Sequence, residues 1–238
     1  MKPVTSNHIS KAHALNMHAA YQYADTLGCP LDLHVTILWS FTSGYPSHGT
    51  LEEQCAYALD RTQRVMKGFR DFARYYGLPN HATWVLENPP HEMTNHRNKL
   101  VHTHTGFHVP AHLKARFDKL LPEWVFDGLP GPRHGNAICA RRHPTQWSVV
   151  RYQLKGLCPT DTAAVDGVTV PLGQALGITR DPMKWDQGPI HGKRVGMSKQ
   201  LDVTARTKAG FLAPALCAKR SDEEAARRAA ADEERSAA

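Results

Sequence analysis

Hydrophobic and polar residues are mixed at short range along three segments of the chain, and this pattern predicts β-strands. The segments cover residues 31–41, 82–87 and 100–108, and a proline lies within two residues of one end of each. They are rich in β-branched and aromatic residues, as strands are. The second and third should pair antiparallel, joined by a long polar loop. A shorter strand is expected over residues 137–141.

Apolar residues that recur every three or four positions predict helices between these strands. The longest helix should begin after Thr50, which forms a capping box with Glu53, and should end near Tyr76. Further helices are expected over residues 8–27, from Pro110 to about Leu121, and from Pro144 through Lys155. Residues 159–190 are expected to be mostly turns, and residues 191–211 a basic loop that leads into a helix.

These elements predict an α+β fold, in which an antiparallel sheet of about five strands is flanked by helices. The strand over residues 100–108 should lie at the centre of the sheet, beside the strand that begins near Leu31. We expect a main domain over residues 1–157 and a basic, helical extension over 158–218 that packs on or beside it. A charged tail, helical or disordered, should cover residues 219–238.

The composition favours a polyanionic partner inside a cell. The chain has 29 Lys and Arg against 22 Asp and Glu, a net charge of +7 with its histidines neutral. Its five cysteines are scattered and form no Cys-x-x-Cys pair, which argues against a structural zinc site or a disulfide framework. A reducing cytoplasm is therefore expected. No membrane partner is expected, because there is no apolar run that spans a bilayer and no signal peptide.

The central strand carries a candidate metal site. His102 and His104 alternate with threonine, so both rings should point to one face, about 7 Å apart along the backbone. Two imidazoles at this spacing can share one ion. His108 has the same parity but lies about 13 Å beyond His104, too far to join without a bend. Glu87, at the end of the neighbouring strand, adds an oxygen ligand that suits Mg²⁺ or Mn²⁺.

The helix from Pro144 places a tyrosine next to a cation. Its apolar residues cluster on one side of the helical wheel: Trp147, Val150, Leu154 and Leu157. Tyr152 and Lys155 lie on the opposite side, and their i, i+3 spacing makes them neighbours. The helix therefore presents the Tyr152 hydroxyl beside a positive charge.

In this order, the three elements resemble the motifs of the HUH endonucleases, the nickases of rolling-circle replication, plasmid mobilisation and some transposases. The family's hydrophobic first motif is matched by His34-Val35-Thr36-Ile37. Its His-hydrophobic-His motif is matched by His102-Thr103-His104, with threonine where an apolar residue is usual, and its Tyr-x-x-Lys motif by Tyr152-Gln153-Leu154-Lys155. The single tyrosine resembles the replication-initiator branch, and the resemblance covers roughly residues 31–157.

The resemblance implies a metal-dependent nickase and strand transferase that acts on single-stranded or locally melted DNA at a plasmid or phage origin. It implies that Tyr152 attacks a phosphodiester, forms a 5′-phosphotyrosyl link and frees a 3′-OH. His102, His104 and Glu87 would hold Mg²⁺ or Mn²⁺, and Lys155 would favour the phenolate or neutralise developing charge. The expected setting is a bacterial-type cytoplasm, at the nucleoid or a plasmid. The sequence has no Gly-x-x-x-x-Gly-Lys-Ser/Thr loop, so a host helicase would act in trans.

Basic residues near the motifs are candidates for contacts with the DNA backbone. They are Arg97, Lys99, Arg141, Arg142, Lys193 and Arg194. Candidates for base stacking are Trp39, Trp84 and Trp147, of which the last fits the core better.

Two other functions remain open at this point. One is a basic nucleic-acid-binding protein without catalysis. The other is a cupin-like metalloenzyme, since cupins also use His-x-His on a strand. Pro110 closely follows the histidine pair and the flanking segments are helical, which differs from an all-β cupin.

Overall fold

The structure, a computed structural model, describes residues 5–89, 100–178 and 187–213. Its strands are β1 (Thr5–Ser6), β2 (Leu33–Leu38), β3 (Ala82–Glu87), β4 (His102–Phe107), β5 (Ile138–Arg142), β6 (Thr162–Val165), β7 (Val168–Pro171), β8 (Ile190–His191) and β9 (Val195–Met197). Its α-helices are α1 (Lys11–Thr26), α2 (Leu51–Tyr75), α3 (Lys114–Val125), α4 (Gln146–Gln153), α5 (Leu172–Ala175) and α6 (Val203–Lys208). None of these helices is both long and apolar enough to cross a membrane.

Five strands form one antiparallel sheet in the order β5-β2-β4-β3-β9. The His-x-His strand β4 lies at the centre, with β2 on one side and β3 on the other. The predicted α+β class, the five-stranded sheet and the central place of this strand are confirmed. A central strand is held by hydrogen bonds along both edges, so it is a rigid support for ligand side chains.

One face of the sheet is apolar and packs against α2 and α3. Its buried residues alternate along the strands: Leu33, Val35, Ile37, Trp84, Leu86 and Phe107. The rings of Phe69 on α2 and Phe117 on α3 lie 4.6 and 5.4 Å from that of Phe107. Burial of each such side chain contributes about 1.5–3 kcal/mol to the free energy of folding. Because this packing fixes which way β4 faces, the residues that alternate with the apolar ones must point to the opposite face.

The opposite face is covered at one end by α1 and α4. Tyr21 of α1 is fully buried, and its hydroxyl donates to Gln153 Oε1 of α4 at 2.9 Å. Gly106 of β4 makes this approach possible, because a Cβ there would overlap the Tyr21 hydroxyl. The two helices therefore close over the Gly106 end of the face, and α4 carries Tyr152 toward the polar residues beyond it.

The helix from Pro144 is shorter than the sequence pattern predicted. α4 ends at Gln153, so Lys155 lies in the turn that follows rather than on the helix. The carbonyl of Gly156 accepts a hydrogen bond from the Ile9 amide at 2.7 Å. Just beyond α4 the backbone therefore bonds to the N-terminal segment, where Leu157 forms an isolated β-bridge with Ile9.

The predicted turn region over residues 159–190 contains a hairpin, β6–β7, followed by the short helix α5. Its two-residue turn is Asp166-Gly167, with φ of 50° and 81°. Positive φ at both positions is the type I′ geometry that Asp-Gly favours between paired strands.

The basic extension contributes the fifth strand of the sheet. β9 pairs with β3 from Thr83 opposite Met197 to Val85 opposite Val195. Gly196 packs directly on the Trp84 ring, where any larger residue would clash. The extension and the main domain are therefore joined through one sheet. The predicted tail over residues 219–238 lies outside the described residues.

Candidate metal centre

Strand register places an acid and two histidines together on the polar face. Glu87 of β3 lies directly opposite His102 of β4, and His104 follows two positions later on the same face. All three side chains are buried, with exposed fractions of 1%, 3% and 4%. Within the described residues this is the group whose ligand atoms can hold a metal ion, since they lie within 4.8 Å of one another.

The two imidazoles aim the same nitrogen at one point. His102 Nε2 and His104 Nε2 lie 3.2 Å apart, and they lie 3.3 and 3.0 Å from Glu87 Oε2. His102 Nδ1 lies 3.0 Å from the Leu100 carbonyl, which can only accept a hydrogen bond. Nδ1 therefore carries the proton of the neutral ring, and Nε2 presents a lone pair to Glu87 and His104.

Lys155 fixes the protonation of the second ring. Its ammonium lies 2.7 Å from Glu87 Oε2 and 3.2 Å from His104 Nε2. An ammonium only donates, so His104 Nε2 accepts and the proton of the neutral ring lies on Nδ1. That Nδ1 faces Thr36 Oγ1 at 3.0 Å and His34 Nε2 at 3.1 Å. Both histidines thus turn Nε2 lone pairs toward the carboxylate, as metal ligands do.

Burial and charge set the ionisation of the group. Burial lowers the pKa of His104 to about 4; the Glu87 carboxylate opposes this shift and Lys155 adds to it. His104 is therefore neutral near pH 7, the form that binds metal. Burial alone would raise the pKa of Glu87, but the two imidazoles around the carboxylate and the Lys155 ammonium hold it well below its usual range. Glu87 is therefore an anion at neutral pH.

These residues fit a divalent cation. Glu87 Oε1 is buried and has no hydrogen-bond partner among the described residues. Such an orphaned carboxylate oxygen is costly unless a cation or donor meets it. Two Nε2 lone pairs and one carboxylate also repel one another at these distances, and a coordinated cation reverses that repulsion. Glu87, His102 and His104 therefore form a group that can hold a metal ion.

We expect His102→Ala and His104→Ala each to weaken Mn²⁺ binding by more than about a hundredfold, because loss of an outer hydrogen-bond partner alone costs 10- to 100-fold. Isothermal titration calorimetry measures the affinity. His108→Ala is the matched control, because His108 has the same strand parity but its Nδ1 lies at the Pro30 carbonyl. Equal Mn²⁺ affinities for all three variants and the wild type would show that the ion binds elsewhere.

The candidate nucleophile lies beside the same group. Tyr152 is in the last turn of α4 and is 45% exposed. Its ring centroid lies 6.1 Å from that of His104, and the Lys155 ammonium lies 5.6 Å from the ring. The structure thus brings together five residues that the sequence predicted for one site: Glu87, His102, His104, Tyr152 and Lys155.

Five of the six residues predicted to contact DNA divide into three groups. Arg97 and Lys99 lie outside the described residues. Arg141 and Lys193 are exposed, and Arg141 lies opposite His34, on the site's face. Arg142 is half-buried, pairs with Asp32 and donates to the Val109 carbonyl.

Arg194 is a structural residue, which corrects its predicted role at the DNA. It is 5% exposed and donates to the carbonyls of Asn7, Gln187 and Gly188. A phosphate contact would require these hydrogen bonds to break.

The prediction that Trp39 and Trp84 stack on DNA bases is also wrong. Their side chains are buried, with exposed fractions of 0% and 5%.

Two histidines at the site had no role assigned from the sequence. His34 lies between His104 and Tyr152, with ring centroids 5.1 and 5.0 Å away, and His143 lies 6.3 Å from Tyr152. The parity of His34 with Thr36 was a usable signal, because it placed both on one face of β2. His143 follows β5 and has no such pattern.

The chain matches no protein-family model, no curated protein and no solved structure in the comparisons made. The likeness to HUH endonucleases therefore rests on the three motifs and on their placement. The cupin alternative is set aside, because the described residues form a five-stranded sheet between helices and two small two-stranded sheets rather than an all-β sandwich.

Proposed function

We propose that this protein is a metal-dependent single-stranded DNA nickase and strand transferase that works through a phosphotyrosyl intermediate. One observation carries the proposal. A partly exposed tyrosine on α4, with a lysine three positions after it, lies beside a buried Glu-His-His group that comes from two strands distant in the chain. Packing alone gives no reason for a phenol, an ammonium and a metal-ligand set to meet at one place.

The geometry favours an unpaired strand as substrate. The Glu-His-His group is almost completely buried, while Tyr152 next to it is 45% exposed. A duplex is too wide to bring a phosphate to such a group, whereas a single strand can lie across the face and present one phosphodiester. Arg141 is exposed on the same face and adds a positive charge for a neighbouring phosphate.

Tyr152 performs the bond exchange. Its hydroxyl oxygen bonds to phosphorus, the bond from phosphorus to the 3′ oxygen breaks, and the phenolic proton is lost as the 3′ oxygen gains one. The product is a 5′-phosphotyrosyl link and a free 3′-OH, which can later attack the link and rejoin the strand. Because the energy of the phosphodiester is kept in the link, one site can both cut and join.

The other residues hold and neutralise charge. Glu87, His102 and His104 would bind Mg²⁺ or Mn²⁺, for which a carboxylate with two imidazoles is a suitable set. When bound, such an ion would supply Lewis-acid polarisation of the phosphate oxygens. Lys155 lies within reach of both Glu87 and the Tyr152 ring, so its ammonium can neutralise charge as the phenolate forms.

This chemistry suits the initiation of rolling-circle replication of a plasmid or phage in a bacterial cytoplasm. The nick would leave a 3′-OH primer, and the bound protein would retain the 5′ end for later closure. A helicase from the host would unwind the duplex, because this sequence has no nucleotide-binding Gly-Lys-Ser/Thr loop.

Incubation of the wild-type protein with a pool of single-stranded oligonucleotides and Mn²⁺ tests the proposal. We expect a covalent protein–DNA product that survives denaturation and disappears when EDTA replaces Mn²⁺. Mass spectrometry should place the adduct on Tyr152. If protein that demonstrably binds Mn²⁺ gives no adduct with any member of a randomised pool, the nickase proposal is rejected, and fluorescence anisotropy with the same pool then decides whether the protein binds DNA without cutting it.

A further inference from the structure

His34 occupies a place in the site that the proposed chemistry does not explain. It is 6% exposed and lies on β2 opposite Gly106. Since glycine offers no side chain there, the His34 ring reaches diagonally across the sheet toward His104. The two rings stack with centroids 5.1 Å apart and planes inclined by 30°.

The same ring also contacts the candidate nucleophile. The His34 and Tyr152 centroids lie 5.0 Å apart, closer than Tyr152 and His104 at 6.1 Å. The outer side of Tyr152 is open, since 45% of the residue is exposed. The side of the Tyr152 ring that faces the protein therefore packs against the His34 ring.

His34 also bonds to a ligand nitrogen. Because Lys155 requires the proton of His104 to lie on Nδ1, that N–H donates toward His34 Nε2 at 3.1 Å and Thr36 Oγ1 at 3.0 Å. A neutral imidazole has one nitrogen that accepts a hydrogen bond, so His34 Nε2 can take this position opposite the His104 N–H.

We infer that His34 is a positioning residue that joins the nucleophile to the metal ligands. Its ring face holds Tyr152 over the site, and its Nε2, together with Thr36, keeps His104 Nε2 turned toward Glu87. This inference rests on the proposed function for its catalytic consequence, but the contacts that it describes are independent of DNA.

Two variants separate the ring contact from the hydrogen bond. His34→Phe keeps an aromatic face for Tyr152 and removes the acceptor, while His34→Ala removes both. With tyrosines replaced by 3-fluorotyrosine, and the Tyr152 signal assigned by its loss in Tyr152→Phe, ¹⁹F NMR reports the ring contact directly. We expect His34→Ala to shift this signal toward that of an exposed tyrosine, and His34→Phe to keep it displaced.

The rate of adduct formation at saturating Mn²⁺ should follow the same order. We expect a loss of at least about tenfold in His34→Ala, because misplacement of a reacting group is costly even when the group itself is intact. His34→Phe should react close to the wild-type rate. The inference is overturned if His34→Ala matches the wild type in both readouts, or if His34→Phe is as impaired as His34→Ala.

The acceptor role is tested by Mn²⁺ affinity, which needs no DNA. Thr36→Val and His34→Phe should each bind Mn²⁺ nearly as the wild type does, because the other acceptor remains. The double variant should lose about tenfold or more. Equal affinities for Thr36→Val and the double variant would show that His34 is not part of the hydrogen-bond network.

If the wild type forms no adduct at all, the nickase proposal fails, while the ¹⁹F and Mn²⁺ results still decide the role of His34.

Discussion

Tyr152→Phe should abolish the covalent protein–DNA product, with a fall of at least about a thousandfold in the rate of its formation. Phenylalanine preserves the ring that contacts His34 and His104 but has no oxygen to bond to phosphorus. Binding of the same oligonucleotide and of Mn²⁺ should stay close to wild type, because neither depends on the hydroxyl. Denaturing gel electrophoresis of labelled oligonucleotide measures the product, and fluorescence anisotropy measures binding.

Tyr75→Phe provides the matched control. Tyr75 is at the end of α2, which packs on the other face of the sheet, and it is 81% exposed. It should form adduct at the wild-type rate. Adduct that persists in Tyr152→Phe would mean that another residue attacks the phosphate, and the assignment of this site as the nickase centre would be lost.

Lys155→Met should destabilise the metal-free protein strongly and make it more dependent on metal. The Lys155 ammonium, with its side chain 14% exposed, lies 2.7 Å from a Glu87 carboxylate that is 1% exposed. Breaking such a buried pair by removing one partner costs about 3–5 kcal/mol, and each kcal/mol is worth roughly 2–4 °C for a chain of this size. Thermal unfolding in EDTA should therefore show a clearly lowered midpoint.

Added Mn²⁺ should then raise the unfolding midpoint more in Lys155→Met than in the wild type. The ammonium and a divalent ion compete for the same Glu87 oxygen, so removal of the lysine leaves a carboxylate that metal alone neutralises. Lys114→Met is the control, since Lys114 pairs with Asp118 on the surface, where such pairs contribute little. A Lys155→Met protein as stable in EDTA as the wild type would show that Glu87 does not need this cation.

The sequence was sufficient to predict the centre of the fold. β-Branched and aromatic residues marked Ala82–Glu87 as a strand, and its closeness in the chain to the His-x-His strand indicated that the two pair antiparallel. The capping box of Thr50 and Glu53 likewise marked the start of α2, and it is present. Parity alone placed His102 and His104 on one face, which is the basis of the metal-site prediction.

The late elements could not be predicted in the same way. β9 has three residues, one of which is Gly196, so no period is visible, and its place depends on packing against Trp84. The Asp166-Gly167 pair is a signal for the turn of the β6–β7 hairpin, but the two strands have only four residues each and show no clear period. The contacts of His34 with His104 and Tyr152 could not be predicted either, because they depend on strand register and on how α4 crosses the sheet.

The strand that borders β3, the strand that carries Glu87, is the last of the five sheet strands to be synthesised. Pairing of Thr83 with Met197 is a strongly non-local contact, which slows folding because a long loop must close first. Until β9 arrives, β3 is an open edge that can pair with another chain and aggregate. The candidate metal centre therefore forms fully only after the segment that contains β9 has been translated. A chain truncated before β9 would be prone to aggregate and would not form a smaller functional domain.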